Sequence, residues 1–421
     1  MRKMKNSGIE WIGQIPEEWN IWPTKRFFRH TKTLAGEQVD SYERLALTMN
    51  GVIKRSKDDS EGLQPEKFDT YQVLRENELV FKLIDLANVK TSRVGLSPYT
   101  GIVSPAYIIL TNDNEDNRFY YYYFMSMYYN EIFNNLGDNG VRSSLNAQDL
   151  LNIPIVDIPS SWQKRIADFL DEKCGKIDRY IEKQQQVIEK LKAYKQSVIT
   201  EAVTKGLDPD VPMKDSGIEW IGMIPEHWDV KKLKYATDIL RGKFNHRPRN
   251  DPDYYDGQYP FIQTGDVARA TKYINDFSQT LNQKGYDVSK EFPSGSVVMT
   301  IAANVADVSI LNFRACFPDS IVGFIPKDVD KLYLFYILKA MRQQLLKNAI
   351  ISTQLNLNIE IIKEEFIAIP SKREQNEIIL YLENTCDEIN SAIAKQTRII
   401  EKLTEYKKSL IYEAVTGKME V

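Results

Sequence analysis

The chain has 421 residues, 43% of them hydrophobic and 27% charged, which is enough for at least two separate cores. Its net charge of −3 excludes neither nucleic acid nor protein partners. No run approaches the ~20 apolar residues that span a bilayer, and the opening MRKMKNSGIEW lacks the apolar stretch of a secretion signal. Three cysteines (Cys174, Cys316, Cys386) fit a reducing cytoplasm rather than a disulfide framework, and the three scattered histidines form no zinc spacing.

Residues 4–21 read MKNSGIEWIGQIPEEWNI, and the segment returns at 213–230 as MKDSGIEWIGMIPEHWDV, identical at 13 of 18 positions. After the first copy, residues 22–158 suggest a mixed α/β domain with strand-like runs at 78–81 and 102–110. Basic loops carry Lys25, Arg26, Arg29 and Lys32, then Lys54, Arg55 and Lys57. Each cluster alone is read more readily as a solvated surface than as a phosphate site. The tyrosine-rich stretch 118–137 predicts a packing helix rather than a base-stacking platform, because its second copy keeps the apolar character with fewer aromatics. The polar loop GVRSSLN (140–146) offers Arg142, Ser143 and Asn146 to base edges. Turn and cap chemistry competes for Ser143 and Ser144.

Residues 167–202 then hold a strict 3-4 alternation: Ala167, Leu170, Cys174, Ile177, Ile181, Gln184, Ile188, Leu191, Lys195, Val198, Ala202. A 3.5-residue repeat of this length specifies a coiled-coil seam. Gly206, Pro209 and Pro212 break the helix, and the second frame segment begins.

The second insert, residues 231–369, has strand-like runs at 296–302 and 320–325, and a basic loop with Arg241, Lys243, His246, Arg247 and Arg249. A helix-like stretch follows at 331–350. The loop ISTQLNLN (351–358) presents Gln354 and Asn356, with caps competing for Thr353 and Asn356. The second seam runs Ile379, Leu382, Cys386, Ile389, Ile393, Gln396, Ile400, Leu403, Lys407, Leu410, Ala414. The two helices end alike, ITEAVT and IYEAVT.

A pseudo-twofold axis would pair these helices antiparallel, with Gln184 beside Gln396 fixing register, Cys174 opposite Lys407 and Cys386 opposite Lys195. The two seam cysteines would then lie ~30 Å apart, beyond disulfide reach. A seam of ~52 Å exceeds one turn of B-DNA, ~34–36 Å.

The order of GIEWIGxIPExW, two variable domains and two long helices ending in EAVT resembles the DNA-specificity subunit of Type I restriction-modification systems. The segments IPSSWQKRIADFL (158–170) and IPSKREQNEIILYL (369–382) belong to the resemblance. So do GVIKRS (51–56), GIVSPAYIIL (101–110) and YPFIQTGDV (259–267). Glu374-Gln375 follows the family, whereas Trp162-Gln163 departs from it. The resemblance implies an α+β fold: two mixed α/β target-recognition domains separated by a long antiparallel two-helix coiled coil. Its segments would be 1–158 (frame plus first recognition domain), 159–206 (first long helix), 207–369 (linker, frame and second recognition domain) and 370–421 (second long helix).

The implied function is a non-catalytic cytoplasmic reader of double-stranded DNA, each domain reading half of a bipartite site. Its implied partners are two methyltransferase subunits using S-adenosylmethionine, and restriction subunits using ATP and Mg²⁺. No cofactor, metal or membrane is implied for this chain. The chain lacks an amino-methylation tetrapeptide (Asn/Asp-Pro-Pro-Tyr/Phe) and a GxxxxGK phosphate loop. On residues alone, a coiled-coil interaction scaffold and a fused nuclease or methyltransferase stay open as alternatives.

Overall fold

The computed structural model describes residues 2–59, 68–84, 86, 93–136, 144–347, 350–351 and 355–421, with only the backbone of 350, 351 and 355. The chain divides into two compact units, Met1–Gln185 with Thr397–Val421, and Gln186–Gln396.

The first unit begins with an antiparallel hairpin, Met4–Asn6 against Gln14–Pro16. Strand Asn20–Pro23 then pairs antiparallel with Pro154–Asp157, closing the first variable domain on itself just before the long helix Ser160–Lys205. Between these strands lie two four-stranded sheets. One has the order Gly51–Arg55, Arg44–Thr48, Gly101–Val103, Gln72–Leu74; the other Arg29–His30, Ile108–Thr111, Leu79–Phe81, Val94–Leu96. Helix Arg118–Tyr129 packs against this frame with Phe119, Tyr120, Tyr123 and Phe124 buried. The tyrosine run is therefore core packing, as its sequence predicts.

The second unit repeats the arrangement. Hairpin Met213–Asp215/Met223–Pro225 leads to strand Asp229–Lys232, which pairs antiparallel with Phe366–Ile369 ahead of the long helix Lys372–Val415. Its sheets follow the first domain's order with different sequences, one of them extended to five strands by Tyr273–Ile274, which pairs parallel with Val308–Leu311. In both domains one sheet carries a parallel pair flanked by antiparallel neighbours: Arg44–Thr48 beside Gly101–Val103, and Tyr255–Phe261 beside Ala315–Cys316.

Within the first unit, the start of helix Ser160–Lys205 packs on the end of Lys372–Val415. Leu170, Cys174, Ile177, Leu410, Ile411 and Ala414 share one core. Within the second unit, Val198, Ala202 and Val203 share a core with Ile378, Leu382 and Cys386. The helices are antiparallel in each. Along the middle of the first helix, the partly buried side chains include Ile181, Gln184, Ile188, Leu191 and Lys195, the positions chosen by the heptad.

Each long helix ends on a glycine in the left-handed region, Gly206 (φ 75) and Gly417 (φ 71). Against these ends lie the frame tryptophans, Trp228 by Gly206 and Trp19 by Gly417, each 1% exposed. Truncating such an aromatic to alanine costs ~3–5 kcal/mol. In the first unit Tyr412 Oη and Lys418 Nζ donate to the Ile12 carbonyl at 3.2 and 2.9 Å.

Three stretches differ from what the sequence suggests. The apolar run 102–110 is two strands in different sheets, because Ser104–Tyr107 form a turn around Pro105, which has no N–H to give a ladder. The stretch 118–137 breaks after Tyr129, where Glu131 takes φ 57, before a short helix Ile132–Leu136. Likewise 331–350 divides into Lys331–Ala340 and Arg342–Lys347.

Candidate nucleic-acid interface

In the first domain the hairpin Arg44–Thr48/Gly51–Arg55 sets Arg44 opposite Arg55 and Leu45 opposite Lys54. Along the second strand Val52 is buried, whereas Ile53 and Lys54 are exposed toward the strand's end. Lys54 and Arg55, with Arg44 and Lys57, line one shallow hollow. Each cation meets a carboxylate or carbonyl: Lys54 with Glu43 at 2.6 Å, Arg55 with Asp59 at 2.6 Å, and Lys57 with the Val39 carbonyl at 2.8 Å. The Glu43 hydrogen bond and charge push the Lys54 ammonium's pKa up. The patch is thus a set of exposed ion pairs worth little individually, and a phosphate could compete for them.

Asn146 caps helix Ala147–Asn152, its side-chain oxygen accepting from Gln148 N at 2.8 Å and Asp149 N at 3.0 Å. Arg142, Ser143 and Gln354 lie outside the described residues.

The second domain draws three of its predicted cations to one residue. Arg241 Nε donates to the Asp319 carbonyl at 2.6 Å, Arg249 Nη2 to Asp319 Oδ1 at 2.5 Å, and Arg247 Nη2 lies 3.8 Å from Asp319 Oδ2. Gly242 makes this possible, since a Cβ there would sit 2.3 Å from the Pro318 carbonyl oxygen. Three guanidiniums around Asp319, two at its carboxylate and one at its backbone carbonyl, leave net positive charge on an exposed rim. Lys243 is exposed on the same segment, whereas Asn356 sits apart on the two-residue strand Leu355–Asn356, bridged to Ala302.

Beside the arginine rim is a hollow of ≈ 650 Å³ walled by Arg249, Asn250, Tyr255, Gln263, Ser278 and Gln279, among others. Gln263 Nε2 donates to Gln279 Oε1 at 2.8 Å. Paired amides next to arginines offer the donor and acceptor sets that distinguish adenine and guanine edges. Sequence reasoning quoted YPFIQTGDV without singling out Gln263, and it passed over Gln279. The usable signal was an amide just past the end of strand Tyr255–Phe261 and another at the start of its antiparallel partner Gln279–Leu281.

The recognition domains are tied to the long helices by matching contacts. Tyr122 Oη donates to Asp171 Oδ1 at 2.7 Å, and Tyr336 Oη to Glu383 Oε1 at 2.5 Å. Burial, then the carboxylate, pushes both phenol pKa values well up, so each stays a donor. At the start of the second long helix, Glu374 accepts from His227 (2.7 Å), Trp228 (3.0 Å) and Ser371 Oγ (2.7 Å). Trp162 stands there in the first unit, with Arg2 stacked 3.9 Å over its ring. The neighbouring glutamines agree: Gln163 and Gln375 each donate to a carbonyl five residues back.

Gln184 and Gln396 are both partly buried seam residues, and all three cysteines are free and buried. No helix among the described residues is long and apolar enough to cross a membrane, and none of their His, Cys, Asp and Glu side chains cluster to hold a metal.

Residues 48–193 and 225–403 match the family described as the Type I restriction modification DNA specificity domain. The chain is similar to the Type I restriction enzyme MjaIX specificity subunit of Methanocaldococcus jannaschii, 30% identical over 190 residues, which are 44% of this chain and 43% of that protein. A second specificity-subunit relative from the same organism is 24% identical across 97% of this chain and 96% of its own length. Among solved structures, a chain from work on complex assembly and conformational transition of the type I R-M system superposes with a TM-score of 0.69. It is 15% identical and covers 96% of this chain and 99% of that one, a likeness of fold. With two matched domains on a repeated frame, the chain belongs to the Type I restriction modification DNA specificity family.

Proposed function

We propose that the chain is the non-catalytic sequence reader of a type I restriction-modification complex, each recognition domain reading one half of a bipartite DNA site. The observation that carries this is the pairing of a shared strand order, with one strand added in the second domain, and two unlike surfaces: paired ions at Lys54 and Arg55 in one domain, an amide hollow with an arginine rim in the other. A common scaffold places each domain on its long helix in the same way, and divergent side chains then give each its own base preference.

The long helices serve as the spacer and as the dock for two methyltransferase subunits. Supporting the docking role, Tyr180, Val187 and Tyr194 recur every seven residues on the first helix with at least 37% of their surface exposed. In this reading S-adenosylmethionine, ATP and Mg²⁺ belong to the partner subunits, restriction subunits included, and the complex works in the cytoplasm. Footprinting the chain with its methyltransferase partner tests the proposal. Two protected patches around an unread gap are expected, and one continuous footprint would overturn it.

A further inference from the structure

A second hollow, ≈ 410 Å³, lies in the second unit between helix Lys331–Ala340, the helix Thr264–Arg269 and the long helix Ser160–Lys205. Lys192, Gln196, Ala268, Asp307, Lys339 and Arg342 are among its walls. Two of its cations are already balanced: Lys192 pairs with Glu189 at 2.8 Å and Arg342 with Asp307. Lys339 is not. Its partly buried ammonium makes no ion pair among the described residues and lies 4.9 Å from the Phe335 ring centroid.

The charge beside it is also left over. Lys195 faces Lys339 electrostatically and donates to Asn390 Oδ1 at 2.8 Å, a neutral partner. The first unit shows the balanced version of the same seam position, where Lys407 donates to Asp178 at 2.7 Å. Burial, with the repulsion of Lys195, lowers the Lys339 pKa to about 8. Two ammoniums that repel each other, neither in an ion pair among the described residues, are costly in a folded chain unless an anion completes them.

We propose that this hollow holds a phosphodiester of the bound DNA backbone, with Lys339 in its wall supplying the charge and Lys195 adding to the positive field outside it. Small walls at Ala268, Ala270 and Ala306 leave room for a tetrahedral group. One element favours DNA over an acidic protein segment. Helix Thr264–Arg269 begins beside Gln263 in the amide hollow and ends at this one, so base contacts and a phosphate contact would share a support.

The inference rests on the reading of the chain as a DNA-specificity subunit, and its test separates the two. DNA affinity of the full methyltransferase complex is measured against salt for the unaltered chain, Lys339→Met and Asn390→Asp. Asn390→Asp installs the ion pair that the first unit already tolerates, so it keeps the fold if Lys339→Met does not. Each variant should weaken binding several-fold and make the slope of log K against log salt shallower by about 0.9 for each phosphate no longer neutralised. The methylated motif should stay the same. Unchanged affinity and slope in both variants would overturn the inference, as would loss of methyltransferase assembly with the slope intact, which would assign the hollow to an acidic partner segment. Absence of salt-dependent binding by the unaltered complex would instead overturn the proposed function.

Discussion

Lys407 Nζ lies 2.7 Å from both carboxylate oxygens of Asp178, joining the end of one long helix to the start of the other within the first unit. The ammonium also faces Cys174, whose thiol pKa burial pushes up to about 11 while the charge of Lys407 pulls it down. In the second unit Lys195 likewise faces Cys386. These are the cross-helix neighbours that an antiparallel register predicts from the heptads alone.

Asp178→Ala should destabilise the first unit by about 0.5–1 kcal/mol, the scale of a partly exposed pair. The loss should shrink in high salt. Urea denaturation at low and high salt checks both the size and the screening.

Glu374 gives the second unit an acid-sensitive joint. Burial alone would raise its pKa, but hydrogen bonds from Trp228, His227 and Ser371 outweigh that and hold it at about 2, against an ordinary 4.5. A lowered carboxylate pKa means that the unfolded chain binds the extra proton between these values. The joint's stabilisation is therefore full above pH ~4.5 and is lost as pH falls toward 2. Glu374→Gln should flatten that part of the stability profile, measured as the urea midpoint against pH. An unchanged acid limb would contradict this assignment.

Lys339 carries the opposite sign. Its folded pKa of about 8 lies below the ordinary 10.5, through burial first and then Lys195 and Arg342, opposed by Asp307 and Cys386. The unfolded chain holds the proton more tightly, so the cost of keeping Lys339 charged is full below pH 8 and is relieved as pH rises toward 10.5. Lys339→Met should raise the melting temperature at pH 7 and gain less at pH 10. Thermal scans at the two values test it.

The frame was legible in the sequence because its signals are local and periodic. The seam from Ala167 to Ala202 follows one repeat, and the buried Trp19 and Trp228 sit in copied motifs. The internal geometry of the inserts was not legible, because it depends on distant partners. Asp319, which gathers Arg241, Arg247 and Arg249, is 70 residues or more away along the chain. Nothing in GIVSPAYIIL reveals that Ile102 and Ile108 join different sheets. The candidate base contacts divide the same way: Asn146 was visible as polar, but its role as a helix cap needed the fold.

The most direct test of independent half-site reading is a genome-wide map of methylated adenines for cells carrying the unaltered chain or Gln279→Ala with the methyltransferase partner. A two-part motif is expected, one half of which loosens in the variant while the other half and the spacer keep their letters and length. A motif that changes in both halves, or one with no unread gap, would contradict it.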